Sequence, residues 1–193
     1  MSEAGKLRAL LRQDGMIVAP GAYDGITARL IEQAGFGAVY MTGAGTSASF
    51  GYPDFGLLTM TEMVSNAARI VRAVGVPVIA DADTGYGNEL NTVRSVREYA
   101  QCGVAGIHIE DQVSPKRCGH LDDKEIVPRE DWLAKIRAAA YARRDPDFLI
   151  IARTDSRAVA GFEEAIARRA NAQALHQVHG MTRILHGLDR LDA

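Results

Sequence analysis

The sequence predicts an α/β protein built on a parallel sheet, and two observations carry that prediction. Five short apolar runs, at residues 16–20, 38–43, 76–83, 106–111 and 148–155, are each followed by an amphipathic stretch long enough for a helix. Several of the runs are apolar almost throughout, as strands covered on both faces are. Two architectures fit five such units: a doubly wound open sheet and a β/α barrel.

The elements follow in chain order. A leading helix is expected over residues 2–13, before the first strand. Residues 24–33 carry Ile26, Leu30 and Ile31 at helical spacing and stop before Gly35. Residues 59–73 open with Thr59 and, three positions on, Glu62, the spacing of a capping box. Residues 91–101 stop before Gly103. Residues 128–143 start with Pro128 at the first helical position and carry Trp132, Leu133 and Ile136, and residues 162–175 follow Gly161. The stretch 176–193 differs: it holds His176, His179 and His186, its apolar residues are interrupted by Gly180 and Gly187, and no sixth strand precedes it. The expected organisation is one β/α domain over residues 1–175 and an atypical helical tail over 176–193.

Composition narrows the function. The chain has 193 residues, 47% of them hydrophobic, and a net charge of −2. That apolar share supports a real core and excludes a disordered chain. Near-neutrality gives no electrostatic case for nucleic acid or an anionic membrane. No apolar run approaches the roughly 20 residues that span a bilayer, and the first residues do not read as a signal peptide. Two cysteines, Cys102 and Cys118, cannot make a disulfide framework and are expected as reduced thiols of a cytoplasmic protein.

The polar residues of the strands gather at the carboxyl ends, where α/β sheets and barrels place their sites. Period-two alternation puts Tyr40 with Thr42, Asp81 with Asp83, His108 with Glu110 and Arg153 with Asp155 on shared faces. A barrel would aim all four pairs at one cavity. Asp81, Asp83 and Glu110 then repel one another unless a cation intervenes, and hard oxygen donors suit Mg²⁺ or Mn²⁺. The same carboxylates can instead cap helices or pair with Arg and Lys. His108, inside a strand, reads more simply as a core histidine than as a ligand.

Residues 114–120, Ser-Pro-Lys-Arg-Cys-Gly-His, form a loop in which Lys116, Arg117 and His120 surround Cys118. Their positive field is expected to lower the thiol pKa and make it a usable acid, base or nucleophile. The plainer alternative is an exposed bystander. Cys102, beside Gly103, reads as a small core residue. The run 43–48, Gly-Ala-Gly-Thr-Ser-Ala, fits a dinucleotide glycine pattern, but loop residues are expected after it and no acidic residue ends a strand about 20 positions on. Asp54, between Pro53 and Phe55, is either a turn former or a site residue.

Asp81-Ala82-Asp83-Thr84-Gly85-Tyr86-Gly87, Ile109-Glu110-Asp111-Gln112 and Lys116-Arg117-Cys118-Gly119-His120, in this order and spacing, resemble the isocitrate lyase/phosphoenolpyruvate mutase superfamily. Tyr40-Met41-Thr42-Gly43-Ala44 resembles its substrate-carboxylate loop, usually Ser-Gly-Gly, and Ile151-Ala152-Arg153-Thr154-Asp155 its arginine strand. The lysine-arginine-cysteine-glycine-histidine loop is similar to the lyase branch, methylisocitrate lyase and dimethylmalate lyase among it. The resemblance implies a TIM-type (β/α)8 barrel and Mg²⁺-dependent cleavage of a 2-hydroxy di- or tricarboxylate to a 2-oxo acid and a dicarboxylate. It further implies Asp81, Asp83, Glu110 and Asp54 around the ion (Mn²⁺ being possible), and Thr42, Gly43, Ala44, Gly119 and His120 on the substrate. Arg153 would answer developing charge, Tyr40 would orient the hydroxyl and Cys118 would donate a proton. A homo-oligomer, dimer or tetramer, is implied as well.

Such barrels typically run to about 250 residues and rarely below about 200. Only about five of the eight units are present, so the chain is expected to be truncated at its C-terminal side relative to the family, with the edges of its first and fifth strands open. The competing expectations are oxaloacetate decarboxylation or hydrolysis, carboxyphosphonoenolpyruvate mutation, and a catalytically silent chain that oligomerises.

Overall fold

The computed structural model describes residues 1–176. Their element order is α1 (Glu3–Leu11), β1 (Gly21–Ala22), α2 (Gly25–Gln33), β2 (Val39–Met41), α3 (Gly43–Ser49), α4 (Met60–Ala73), β3 (Val78–Asp81), α5 (Glu89–Gln101), β4 (Gly106–Ile109), α6 (Arg129–Ala142), β5 (Leu149–Ala152), α7 (Ser156–Ala160) and α8 (Phe162–His176). The expected tail, with His179 and His186, lies outside the described residues.

The five strands pair in parallel and in the order β1-β2-β3-β4-β5. A doubly wound sheet reverses its order at a switch point, and this sheet does not, so the barrel-type winding holds. Among the described residues, β1 and β5 each have one neighbouring strand, as expected of open edges.

Alternation along the strands separates two layers. Val39, Met41, Val78, Ala80, Ile107, Ile109, Ile150 and Ala152 face the helices and join Met63, Ile70, Val96, Trp132 and Ile136 in the main core. The opposite face holds Ile79, Leu149 and Ile151, and a separate cluster joins them to Leu7 and Leu11 of α1. The leading helix therefore plugs the amino-terminal end of the inner face. The polar pairs take the carboxyl end of that same face.

Local chemistry explains most boundaries. Thr59 and Glu62 form the expected capping box of α4, with reciprocal bonds to each other's backbone amides. Asp24 and Asn88 cap α2 and α5 in the same way. Pro128 stands as the N-cap of α6, one position outside the helix rather than its first residue.

Three expectations need correction. Residues 16–20 are not the first strand: sheet pairing begins at the Pro20 carbonyl, which accepts from Tyr40 N–H at 3.0 Å, and Met16 is 87% exposed. The small residues after β2 form the helix α3, capped by the Thr42 hydroxyl accepting from Gly45 N–H at 3.2 Å; with hardly an apolar residue to mark a buried face, it carried no periodic signal. Strands β3 and β4 stop at Asp81 and Ile109, short of the acidic residues that follow. Among the described residues no helix is long and apolar enough to cross a membrane.

Leu7 is almost fully buried, and removing it opens the inner layer from below. Leu7→Ala is expected to cost about 3 kcal/mol in urea unfolding, the usual loss for a buried leucine. An unchanged midpoint would show that α1 is not a plug.

Candidate active site at the carboxyl ends of the strands

The inner-face polar residues converge, though not all by alternation. Asp81 ends β3. The chain then turns at Asp83, whose φ of 44° is left-handed. The Asp83 amide donates to Asp81 Oδ1 at 2.9 Å, and Glu110 N–H donates to the Asp83 carbonyl at 2.9 Å. Asp83 thus reaches the site through a turn, not along a pleat. Thr42 caps α3 instead of joining Tyr40. The neighbouring Gly43 N–H donates to Asp81 Oδ2 at 3.0 Å, and a Cβ on Gly43 would collide with that carboxylate.

His108 is buried and partnered, as expected of a core histidine, and it borders the site as well. It lies beside Asp81 in register and links Tyr40 to it. Tyr40 Oη lies 2.6 Å from Nδ1, and Nε2 lies 3.1 Å from Asp81 Oδ1. Burial, then the Asp81 charge, pushes the Tyr40 phenol well up, so it keeps its proton and donates. With Nδ1 accepting from Tyr40, the imidazole presents an Nε2 proton to Asp81. Although burial opposes it, His108 and then Lys116 hold Asp81 well below the usual carboxylate range. Asp83 goes the other way, to about 6, from burial and then the Asp81 charge.

The sequence suggested carboxylates short of cations. The structure interleaves them. Lys116 Nζ pairs with Asp54 and lies 3.2 Å from Asp83 Oδ1. Arg153 reaches Glu110 Oε2 at 3.1 Å and Asp155 at 3.3 Å. Burial disfavours both cations, but these carboxylates, with Asp81 adding to the field, outweigh it and raise their pKa values. Glu110 is raised well above its ordinary value by burial, which Arg153 offsets only in part.

A model of the phosphoenolpyruvate phosphomutase family matches residues 7–174. The chain belongs to that family. It is 58% identical over 169 residues to 2,3-dimethylmalate lyase of Eubacterium barkeri, an alignment covering 87% of this chain and 58% of the lyase. A solved oxaloacetate acetylhydrolase in complex with 3,3-difluorooxalacetate superposes with a TM-score of 0.87 at 47% identity, over 90% of this chain and 61% of the hydrolase. A phosphonopyruvate hydrolase solved with oxalate and Mg²⁺ has the same TM-score at 33% identity, over the whole of this chain and 66% of the hydrolase. The chain thus spans only about three-fifths of these relatives' length.

The phosphomutase-family loop brings a further correction. Cys118 does not have a lowered pKa: burial and the nearby Asp54 push the thiol up, outweighing Lys116. The lysine's field is spent on Asp54 and Asp83. His120 Nδ1 stands 3.8 Å from Cys118 Sγ. Gly119 passes so close to Arg153 that a Cβ there would strike the guanidinium, which brings the loop over the arginine.

The donors suit a hard divalent cation. Asp83 Oδ1 and Glu110 Oε1 are buried without a well-aligned hydrogen bond. Four carboxylates, those of Asp54, Asp81, Asp83 and Glu110, serve the region. Among the described residues no three His, Cys, Asp or Glu side chains stand together as a ready ligand cage.

Behind the site lies a second buried pair that the sequence did not reveal. Asp111 accepts from Thr154 Oγ1 at 2.5 Å and Asp155 N–H at 2.8 Å, and Arg168 of α8 reaches it at 3.1 Å. Arg168 also donates to the Val127 carbonyl at 2.8 Å and lies over the Trp132 ring. Arg168→Met leaves Asp111 buried without its cation and is expected to cost about 3–5 kcal/mol in urea unfolding. In the same assay Arg94→Met, which removes an exposed 3.8 Å pair with Glu98, is expected to change stability by less than about 0.5 kcal/mol. Equal effects would show that Arg168 is no more than a surface charge.

Proposed function

We propose that this site performs carbon–carbon lyase chemistry. In this reading it cleaves a 2-hydroxy di- or tricarboxylate, methylisocitrate-like, to a 2-oxo acid such as pyruvate and a dicarboxylate such as succinate. The observation that carries the reading is the placement of Cys118, 3.8 Å from His120 Nδ1, on a loop lying against Arg153. A thiol that keeps its proton is a proton donor, and a donor beside a firmly protonated arginine suits a cleavage in which negative charge passes from the 2-oxygen to the released carbon.

The 2-hydroxyl gives its proton to the site's carboxylates, the oxygen's pair forms the new C=O as the carbon–carbon bond breaks, the pair of that bond moves onto the carbon next to a carboxylate, and Cys118 Sγ–H supplies the proton that this carbon takes up. Lys116 and His120 flank the thiolate left behind. Arg153, fixed by Glu110 and Asp155, faces the charge that develops on the 2-oxo fragment. Tyr40, held by His108, orients the hydroxyl. The backbone at Thr42, Gly43 and Ala44, with Gly119 and His120 of the loop, lines the carboxylate's place. Mg²⁺, or Mn²⁺ in its stead, would be held by Asp81 and Asp83 with Glu110 and Asp54 near, and would supply Lewis-acid polarisation of the carboxylate and 2-oxygen. The relatives named as a lyase and an acetylhydrolase support small carboxylates as the substrate class. A cytoplasmic homo-oligomer, dimer or tetramer, completes the reading, with size-exclusion mass as its check.

The test is release of a 2-oxo acid from 2-methylisocitrate, 2,3-dimethylmalate and oxaloacetate. Release from one of the first two, lost with chelator and restored by Mg²⁺, is expected. Cys118→Ser is expected to lower kcat by about 10²–10⁴, the usual worth of a positioned acid. Turnover of oxaloacetate alone would favour the hydrolase or decarboxylase reading. No turnover by a cooperatively melting sample at high concentration would sink the enzyme reading for this chain.

A further inference from the structure

We infer that Gln112 is the positioning residue that sets where Lys116 and Cys118 stand. Its side chain is 1% exposed, at the neck of the segment that carries both. That neck is closed by the backbone: Gln112 bridges Ile126, Val113 N–H donates to the Glu125 carbonyl at 2.8 Å, and Val127 N–H donates to the Asp111 carbonyl at 2.9 Å. Between the two sides of the neck, residues 114–124 run without a helix or strand. The carboxamide of Gln112 reaches into this stretch and holds both peptide groups of one residue. Its Oε1 accepts from Arg117 N–H at 3.0 Å, and its Nε2 donates to the Arg117 carbonyl at 3.0 Å.

Arg117 is the residue between the two that matter. Fixing its N–H and its carbonyl fixes the peptide planes on either side. Lys116 is thereby delivered to Asp54 and Asp83, and Cys118 to its place beside His120. The second Nε2 hydrogen donates to Asp155 Oδ2 at 3.2 Å, and the same carboxylate binds Arg153. One buried amide therefore ties the loop that carries the thiol to the strand end that carries the guanidinium.

The chemistry requires an amide in particular. A glutamate of the same size keeps the acceptor for Arg117 N–H but has no donor for the Arg117 carbonyl, and it sets a second carboxylate against Asp155. An alanine leaves both Arg117 peptide groups without their partner. The proposal deepens the lyase reading and rests on it only for its effect on turnover.

Three readouts test it, two of which need no substrate. In the unmodified protein the Arg117 amide is expected to be protected from hydrogen exchange. In Gln112→Ala and Gln112→Glu, exchange over residues 116–118 is expected to rise by about tenfold or more while the amides of Ile107–Ile109 and Ile150–Ala152 keep theirs, a local opening rather than a global one. Alkylation of Cys118, followed by peptide mass so that Cys102 is read separately, is expected to speed up at least about threefold as the thiol loses its packing. In turnover, kcat is expected to fall by about tenfold or more with KM within about threefold, because a misplaced proton donor costs the chemical step rather than binding.

Fast exchange at Arg117 in the unmodified protein overturns the proposal without any variant. So does unchanged exchange at 116–118 in a variant that still melts cooperatively, or a loss of protection spread evenly over the strands. Predicted-direction changes in exchange and alkylation, with no turnover by the unmodified chain, would sustain the positioning role and sink the lyase reading instead.

Discussion

Buried charge balance at the carboxyl end of the sheet is the constraint on which the rest of this structure depends. Asp81, Asp83, Glu110 and Asp111 are all buried within a few residues of two adjacent strand ends. Unpaired, each would cost several kcal/mol. Three cations, Lys116, Arg153 and Arg168, come from three different places in the chain to meet them. The fold's later segments are therefore not optional additions to the first four strands: the loop after β4, the end of β5 and helix α8 each deliver one positive charge that the earlier carboxylates demand.

The chain just past the ends of β4 and β5 sorts these charges by side. Glu110 and Asp111 are consecutive and point to opposite sides. Glu110 faces inward to Arg153, while Asp111 faces the helices and Arg168. Arg153 and Thr154, just past the end of β5, divide in the same way, inward to Glu110 and outward to Asp111. The outward set is closed: Asp111 takes bonds from Thr154, Asp155 and Arg168 and has the character of a clamp between β4, β5 and α8. The inward set is left incomplete: Glu110 Oε1 has no hydrogen-bond partner, and Asp83 Oδ1 has only the Lys116 ammonium at 3.2 Å. Structural networks satisfy their members, and sites keep capacity in reserve. The difference between the two sets, one residue apart in sequence, separates stability from chemistry here.

That division also explains what could be read from the sequence. Five apolar runs and their amphipathic followers are local patterns, and they located four of the strands and most of the helices. Capping boxes such as Thr59–Glu62 are local as well. The polar residues at strand ends announced a site because apolar runs make them conspicuous. What stayed hidden depends on partners distant in sequence. Arg168 lies 57 residues from Asp111 and looks like any charge on a helix. His108 was legible as a buried histidine, but nothing near it in sequence hints at its partner Tyr40, 68 residues away. The short helix α3 was missed since small residues give no period, and residues 16–19 misled since an apolar run without a pairing partner is not a strand.

The sign of the Cys118 shift shows why counting neighbouring charges is a poor guide to a thiol. Lysine, arginine and histidine within two residues suggest a thiolate. Coulomb attraction, however, acts between net fields, and the Lys116 ammonium already faces Asp54 and Asp83. What remains at the sulfur is partial burial plus the Asp54 charge, and both favour the protonated form. For a nucleophile that would be a defect, but for an acid it is a requirement, since a group must hold its proton until a stronger base forms beside it. In the proposed cleavage the released carbanion would be such a base, whereas a carboxylate product would not, and a thiol that holds its proton would give it up to the first and not to the second.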